Sequence, residues 1–173
     1  MEEVKRAKEK AHKYERDYGG CAQSVLGALQ EELKIGSKDS FKAASTLAGG
    51  IARHGETCGA LVGALSALGI VSGRERIEDT ESNKVAMESA TTMINSFKKE
   101  LEKQFNFKER LSSTLCRHIQ EKIYGRSFNL MDKDGFQAFR DAGGQSDTGC
   151  PKVCGIAAEI AAEKLTNNQE SMF

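Results

Sequence analysis

The chain has 173 residues, a length that suits one folded domain with a hydrophobic core of its own. Its 25 lysines and arginines balance 25 aspartates and glutamates, which argues against nucleic-acid binding because such proteins usually carry an excess of positive charge. The chain has one proline and no tryptophan, and alanine, glutamate, lysine and leucine are abundant; no segment alternates with the period of two typical of a strand. We therefore predict an all-α fold, a single compact domain of six to eight helices.

The N-terminal residues 1–6 are mostly charged, and no apolar signal-peptide core follows them. We expect a cytoplasmic protein without a membrane span, because the most apolar run has about 14 residues where a bilayer requires about 20. In that reducing compartment, the five cysteines are expected to act as ligands or redox thiols rather than as permanent disulfides.

The N-terminal third is predicted to contain three helices. Residues 1–15 are mostly charged, which fits either a solvated helix or a frayed terminus. Apolar residues at helical spacing predict a helix between Cys21 and Gly36. Another helix is expected between Ser37, a favourable capping residue, and Gly49.

The most apolar stretch, residues 56–69, is predicted to form a buried central helix that starts at Cys58. Gly59 and Gly63 lie four residues apart and share one helix face, which Ala60 and further alanines widen. Glycine costs roughly 0.5–1 kcal/mol relative to alanine inside a helix, so its repetition indicates that something approaches the backbone closely. A second helix or a cofactor held by Cys58 would each explain this face.

Four further helices are predicted in the second half, three of them from an apolar pattern and a residue that favours a helix start, and one short helix near residue 136. Their starts are placed at Asp79 or Thr80, at Ser112 or Ser113, near residue 136, and at Pro151 with Cys150 as its cap residue. Residues 166–173 are expected to form a disordered tail. No linker or internal repeat divides the single domain expected over residues 1–173.

Four cysteines stand beside a predicted helix start, namely Cys21, Cys58, Cys116 and Cys150. A helix N-terminus carries a partial positive charge and unpaired N–H groups, which favour a thiolate over a thiol. We therefore expect depressed pKa values for these thiols, since the thiolate is the form that binds metal or attacks a disulfide. The alternative is that the cysteines are inert, buried apolar side chains.

Cys154 and His54 complete the set of candidate site residues. Cys154 lies four residues after Cys150, so the two share one face of a helical turn and could ligate one metal or cluster. The cysteine spacings do not match the paired knuckles of a zinc finger. His54 lies four residues before Cys58 in a loop bounded by glycines. It could act there as a ligand or a proton donor, and the alternative is a solvated loop histidine without a role in the site.

Together these motifs resemble the C_GCAxxG_C_C family of redox-active proteins, named for its spaced cysteines. The resemblance is carried by Gly20-Cys21-Ala22-Gln23-Ser24-Val25-Leu26, Cys58-Gly59-Ala60-Leu61-Val62-Gly63-Ala64, Cys116 and Cys150-Pro151-Lys152. It covers roughly residues 15–165, and the Cys-Gly-Ala-x-x-Gly element is its most specific part.

The resemblance implies that Cys21, Cys58, Cys116 and Cys150 are the four cysteines of the family. It leaves open whether Cys154 replaces or supplements Cys150. It also implies a role in electron transfer or as a component of an oxidoreductase, with an iron–sulfur cluster as a cofactor and an oxidoreductase as a partner.

Three functions follow from these residues. The first is an electron-transfer protein whose iron–sulfur cluster is held by Cys58, Cys116 and Cys150, with Cys21 or Cys154 completing the set. The second is a metal-free thiol–disulfide protein. The third is an interaction module with a structural zinc site. The glycine-rich face of the central helix is also compatible with a homodimer.

Overall fold

The computed structural model describes the backbone of residues 1–170 and the side chains of residues 1–167. That part of the chain forms eight α-helices and one 3₁₀ turn, and it contains no strand. The helices are α1 (Glu2–Tyr18), α2 (Cys21–Leu33), α3 (Lys38–Ala43), α4 (Gly59–Ser72), α5 (Thr80–Gln104), α6 (Cys116–Tyr124), α7 (Lys133–Asp141) and α8 (Cys150–Glu170), and the 3₁₀ turn is Ala44–Thr46. The prediction of an all-α domain of six to eight helices is confirmed.

The centre of the fold is formed by α2, α4 and α8, each of which contacts the other two. α1 packs along α2 and α8, and α5 packs against α4 and α8. Small side chains dominate the core of α8, where Ala157, Ala158, Ala161 and Ala162 are all buried. Because small residues let helix backbones approach closely, this composition explains how α8 can contact four neighbouring helices.

The glycine face of α4 is occupied by α2. A Cβ atom at Gly63 would lie 3.1 Å from the Cβ of Val25 and closer still to the carbonyl oxygen of Ala22. Of the two explanations for the repeated glycines, the second helix is therefore the one seen at Gly63. The predicted central position of this glycine- and alanine-rich helix is confirmed.

α1 is a packed helix that begins at the second residue. It buries Ala7, Ala11 and Glu15, which lie one above the other at steps of four residues. Gly155 of α8 faces this stripe, and a Cβ there would lie 3.3 Å from the carbonyl oxygen of Lys8. At the other end of the chain, α8 continues to residue 170, and residues 171–173 of the predicted tail lie outside the described part.

Two predicted helix starts are displaced. α6 begins at Cys116 with Leu115 as its capping residue, so the cap predicted at Ser112 or Ser113 is wrong. The reason is that the chain before Cys116 pairs through its backbone with residues 56–58, which keeps it extended. α8 begins at Cys150 itself, one residue earlier than the pattern of Pro151 indicated.

The third predicted helix is shorter than expected. α3 ends at Ala43 and is followed by the 3₁₀ turn, and residues 47–58 form a loop. Asp79 caps α5, as predicted, by accepting a hydrogen bond of 3.0 Å from the backbone N–H of Ser82. Across the described residues, none of the helices combines the length and the apolarity that crossing a bilayer demands.

Candidate functional site

All five cysteines line a single cavity of about 560 Å³. They are spread over 134 positions of the chain, from Cys21 to Cys154. The cavity walls also include Glu15 and Gln120, together with the aromatic rings of Phe136 and Phe139. The structure therefore brings together every cysteine that the sequence singled out.

The starts of four helices converge on this cavity. Cys21, Cys116 and Cys150 are the first residues of α2, α6 and α8, and Cys58 is the residue that caps α4. Cys154 lies one turn farther along α8. The predicted association of cysteines with helix starts is confirmed, and four sets of N-terminal N–H groups surround the cavity.

The starts of α4 and α6 are joined through the backbone. Thr57 and Leu115 form an isolated antiparallel bridge. The N–H of Cys58 donates to the carbonyl oxygen of Thr114 at 2.9 Å, and the N–H of Cys116 donates to that of Glu56 at 2.6 Å. These bonds fix Cys58 and Cys116 beside each other although they are far apart in the sequence.

The first glycine of α4 makes room for Cys21. A Cβ at Gly59 would overlap the Sγ of Cys21 and would lie 2.8 Å from the carbonyl oxygen of Leu47. The thiol of Cys21 thus lies against the first turn of α4, directly after Cys58. Gly59 supports the site by leaving space for a cysteine of a neighbouring helix.

Several polar groups contact the sulfur atoms. Gln120 Nε2 lies 3.6 Å from Cys116 Sγ, and the Tyr124 hydroxyl lies 3.7 Å from Cys150 Sγ. The Cys154 thiol points to the carbonyl oxygen of Cys21 at 3.9 Å. Both side-chain donors belong to α6.

Burial raises the pKa of all five thiols above the ordinary value of 9.0. Neighbouring sulfurs add to this effect, since Cys58 raises the pKa of Cys116. Backbone N–H groups at the start of α4 lower the pKa of Cys58, but burial outweighs them. The expectation of depressed thiol pKa values is therefore wrong, because burial raises the pKa of each thiol.

A buried carboxyl group also faces the cavity. Glu15 of α1 is 6% exposed, and its one side-chain hydrogen bond is a long one of 3.3 Å from the hydroxyl of Ser24. Burial raises the pKa of Glu15 to about 7. The sequence analysis missed Glu15 because it sits in a segment of mostly charged residues.

One rim of the cavity has an unusual backbone. Residues 49–53 all have positive φ values, between 48° and 72°, and form a left-handed turn. Three of them, Ile51, Ala52 and Arg53, have side chains and are strained in this conformation. Arg53 extends over the ring of Phe136 in α7 at 4.9 Å, and both residues line the cavity.

The cysteines form no disulfide, and all five thiols are free. Among the described residues, no three His, Cys, Asp or Glu side chains are grouped so that they could hold a metal ion. The thiols are thus arranged around the cavity rather than gathered at one point. Such an arrangement suits a bound group larger than a single ion, or the formation of a disulfide between neighbouring thiols.

The remaining predicted site residues lie in different places. Ala60 lines the cavity beside Cys58, whereas His54 is exposed in the loop and does not line it. The sequence analysis missed Gln120 and Tyr124. Their positions four and eight residues after Cys116 are the signal that could have identified them, because that spacing places all three on one helix face.

A scan against protein-family models matches residues 20–164 to the family described as "Putative redox-active protein (C_GCAxxG_C_C)". The chain belongs to this family. The matched range contains all five cysteines and covers most of the chain. Comparisons with curated proteins and with solved structures give no match.

The description of the C_GCAxxG_C_C family gives "Putative redox-active protein" as its class. The family description names no metal, substrate or partner. In this member, the Cys-Gly-Ala-x-x-Gly element corresponds to the start of α4, where Cys58 enters the cavity and Gly59 and Gly63 admit α2. The motif is therefore explained by packing as well as by chemistry.

Proposed function

We propose that this protein is an electron-transfer protein whose cavity binds an iron–sulfur cluster. The observation that carries the proposal is the convergence of five cysteine side chains on one cavity from four helix starts. Iron–sulfur clusters are held in proteins by cysteine thiolates, usually four of them. The redox class of the family agrees with such a cofactor.

The arrangement of the thiols favours a cluster over zinc. Zinc requires four ligand atoms within about 2.0–2.3 Å of one point, and the described side chains are not grouped in that way. A cluster is several atoms across and is held from outside, so its cysteines lie farther apart. The cavity of about 560 Å³ has room for such a group.

Cys58, Cys116 and Cys150 are the proposed ligands. Each enters the cavity from the start of a different helix, and the backbone pairing fixes the first two beside each other. Cys21 or Cys154 completes the set, since both line the same cavity and the Cys154 thiol lies 3.9 Å from the carbonyl oxygen of Cys21. His54, being exposed, is not included.

The chemistry that a cluster supplies here is the uptake and release of one electron. The protein contributes the partial positive charge of the helix starts, which stabilises the negative charge of bound thiolates. Phe136 and Phe139 provide an apolar wall that limits water. The thiols release their protons on binding, because only the thiolate is a ligand. The electron partner would be a protein of an oxidoreductase system.

The proposal is tested by purifying the protein without oxygen and recording its absorption spectrum with iron, sulfide and zinc analysis. The expected result is a brown protein with iron and acid-labile sulfide that loses its colour when Cys58 is replaced by serine. Colourless protein after attempted reconstitution, or an unchanged spectrum in the Cys58→Ser variant, would overturn the proposed site.

The second candidate is a metal-free thiol–disulfide protein. It is favoured by the presence of five free thiols on one cavity. In that reaction two thiols lose two electrons and two protons as one S–S bond forms. Trapping the oxidised protein with an alkylating reagent and mapping its peptides by mass spectrometry would identify a disulfide, and five alkylated cysteines would exclude it.

A further inference from the structure

Three side chains on one face of α6 lie close to the cysteine sulfurs: Cys116 and Gln120 line the cavity, and the Tyr124 hydroxyl lies 3.7 Å from Cys150 Sγ. Cys116, Gln120 and Tyr124 are spaced by four residues and lie one above the other along the helix. The first is a cysteine, and the other two are hydrogen-bond donors. Each donor reaches a different sulfur, that of Cys116 in α6 and that of Cys150 in α8.

The orientation of Gln120 is fixed by its second hydrogen bond. Gln120 is only 2% exposed, and its Oε1 accepts a hydrogen bond of 2.9 Å from the backbone N–H of Phe128. An N–H donor must meet the oxygen end of the amide, so the Nε2 end is the one that faces Cys116 Sγ. The side chain therefore acts as a donor to this sulfur.

Tyr124 is held in place by its surroundings. Its ring packs edge-on against Phe128 and Phe139 at centroid distances of 5.9 and 5.8 Å. Gly149, the residue before Cys150, leaves space for the hydroxyl group, because a Cβ there would lie 2.8 Å from the Tyr124 oxygen. The hydroxyl is thus confined between Cys150 Sγ at 3.7 Å and the carbonyl oxygen of Gly144 at 3.5 Å.

We propose that Gln120 and Tyr124 are positioning residues that set the reduction potential of the cysteine site through hydrogen bonds to Cys116 and Cys150. This inference rests on the proposed function, in which those two sulfurs are ligands. Reduction adds negative charge that is shared with the ligand sulfurs, and a donor to a sulfur stabilises that charge. Loss of either donor should therefore make the site harder to reduce.

The test compares Tyr124→Phe and Gln120→Met with matched changes away from the cysteine sulfurs. Tyr14→Phe removes a hydroxyl of α1 that is bonded to Glu31, and Gln137→Met removes an exposed amide of α7. At a fixed solution potential, each α6 variant should show a several-fold lower ratio of reduced to oxidised cluster than wild type. Both controls should match wild type.

A second measurement uses the metal-free protein and does not depend on a cluster. Alkylation at fixed pH, mapped to individual cysteines, should slow several-fold at Cys150 in Tyr124→Phe and at Cys116 in Gln120→Met, because a donor stabilises the reactive thiolate. Tyr124→Phe removes one oxygen atom only, so it keeps the test valid if Gln120→Met fails to fold.

The outcomes separate the two proposals. If the wild-type protein binds no cluster but alkylation still slows at the expected cysteine in each variant, the proposed cluster is refuted. The hydrogen bonds from α6 to the sulfurs are supported in that case. An unchanged potential in Tyr124→Phe with a bound cluster refutes the tuning role. Unchanged or faster alkylation at Cys150 in that variant refutes the hydrogen bond itself.

Discussion

Thr57 and Leu115 face each other in an antiparallel backbone bridge that holds the starts of α4 and α6 side by side. The backbone N–H groups of Cys58 and Cys116 take part in the same pairing. Both cysteines are therefore positioned by main-chain bonds, leaving their thiols directed at the cavity. This geometry makes the site depend on the packing of α4.

Replacing Gly59 by alanine should destabilise the protein and displace the thiol of Cys21. The new Cβ would overlap Cys21 Sγ and lie 2.8 Å from the carbonyl oxygen of Leu47. Overpacking of this kind costs about 1–3 kcal/mol, which urea denaturation would measure. Gly69→Ala is the matched control on the same helix. A Cβ at Gly69 meets nothing within 4 Å. Because alanine favours a helix more than glycine does, this variant should be more stable than the wild type by up to about 1 kcal/mol. Equal effects of the two changes would contradict the packing described.

Replacing Glu15 by glutamine should stabilise the metal-free protein above neutral pH. Burial raises the pKa of Glu15 from 4.5 to about 7, so its contribution to stability is complete below pH 4.5 and is lost as the pH rises through 7. By pH 8, this pKa shift corresponds to a loss of about 3 kcal/mol in the free energy of unfolding of the wild type relative to Glu15→Gln. Unfolding free energies measured from pH 4 to pH 8 would show this divergence.

The control for Glu15 is Glu32, whose pKa is lowered by its hydrogen bonds to Arg6 and Lys10. Its contribution is present above pH 4.5 and is lost as the pH falls, so Glu32→Gln should destabilise the protein at neutral pH and have less effect in acid. The same pH dependence for both variants would show that Glu15 is not buried as described.

The metal-free, reduced protein should lose stability as the pH rises above 9.0. Burial raises the pKa of its cysteine thiols, so unfolded thiols ionise from about that pH while folded ones stay neutral. Each such thiol lowers the free energy of unfolding by up to about 1.4 kcal/mol per pH unit. Cys154→Ala should reduce the slope measured by urea denaturation, and a wild-type profile that stays flat between pH 9 and pH 10 would contradict buried neutral thiols.

Replacing Ala52 by glycine should stabilise the rim of the cavity. Ala52 is exposed and has a φ of 48°, a conformation that costs an L-residue about 1–2 kcal/mol and glycine little. Glycine also makes the unfolded chain more flexible, which offsets part of this effect. We therefore expect the free energy of unfolding to rise by up to about 1 kcal/mol. The control, Ala43→Gly, lies in α3 at a φ of −59° and should lose about 1 kcal/mol. A loss at both positions would rule out the left-handed turn.

The helices could be predicted from the sequence where apolar spacing and capping residues agree. The capping of α5 by Asp79 and the burial of Phe97 and Leu101 follow from such local patterns. The stripe of α1 could not be found in this way, because Ala7, Ala11 and Glu15 do not form a pattern of large apolar residues. Its burial depends on the small residues of α8.

The candidate site was only partly predictable. A cysteine beside a helix start is visible in the sequence, but the direction of the pKa shift depends on burial, which is a property of the folded chain. Likewise, the contact of Tyr124 with Cys150 requires two helices and Gly149 to meet. The convergence of all five cysteines results from the packing of α2, α4, α6 and α8 and cannot be derived from their spacing.

The most direct test of the cluster is the intact mass of the wild-type protein after anaerobic reconstitution, measured under conditions that keep the fold. The account predicts a mass increase that corresponds to several iron and sulfide atoms, less one proton for each cysteine ligand, and its absence in Cys58→Ser. A mass increase of a single zinc ion, or a loss of two hydrogens for each disulfide without added metal, would contradict it.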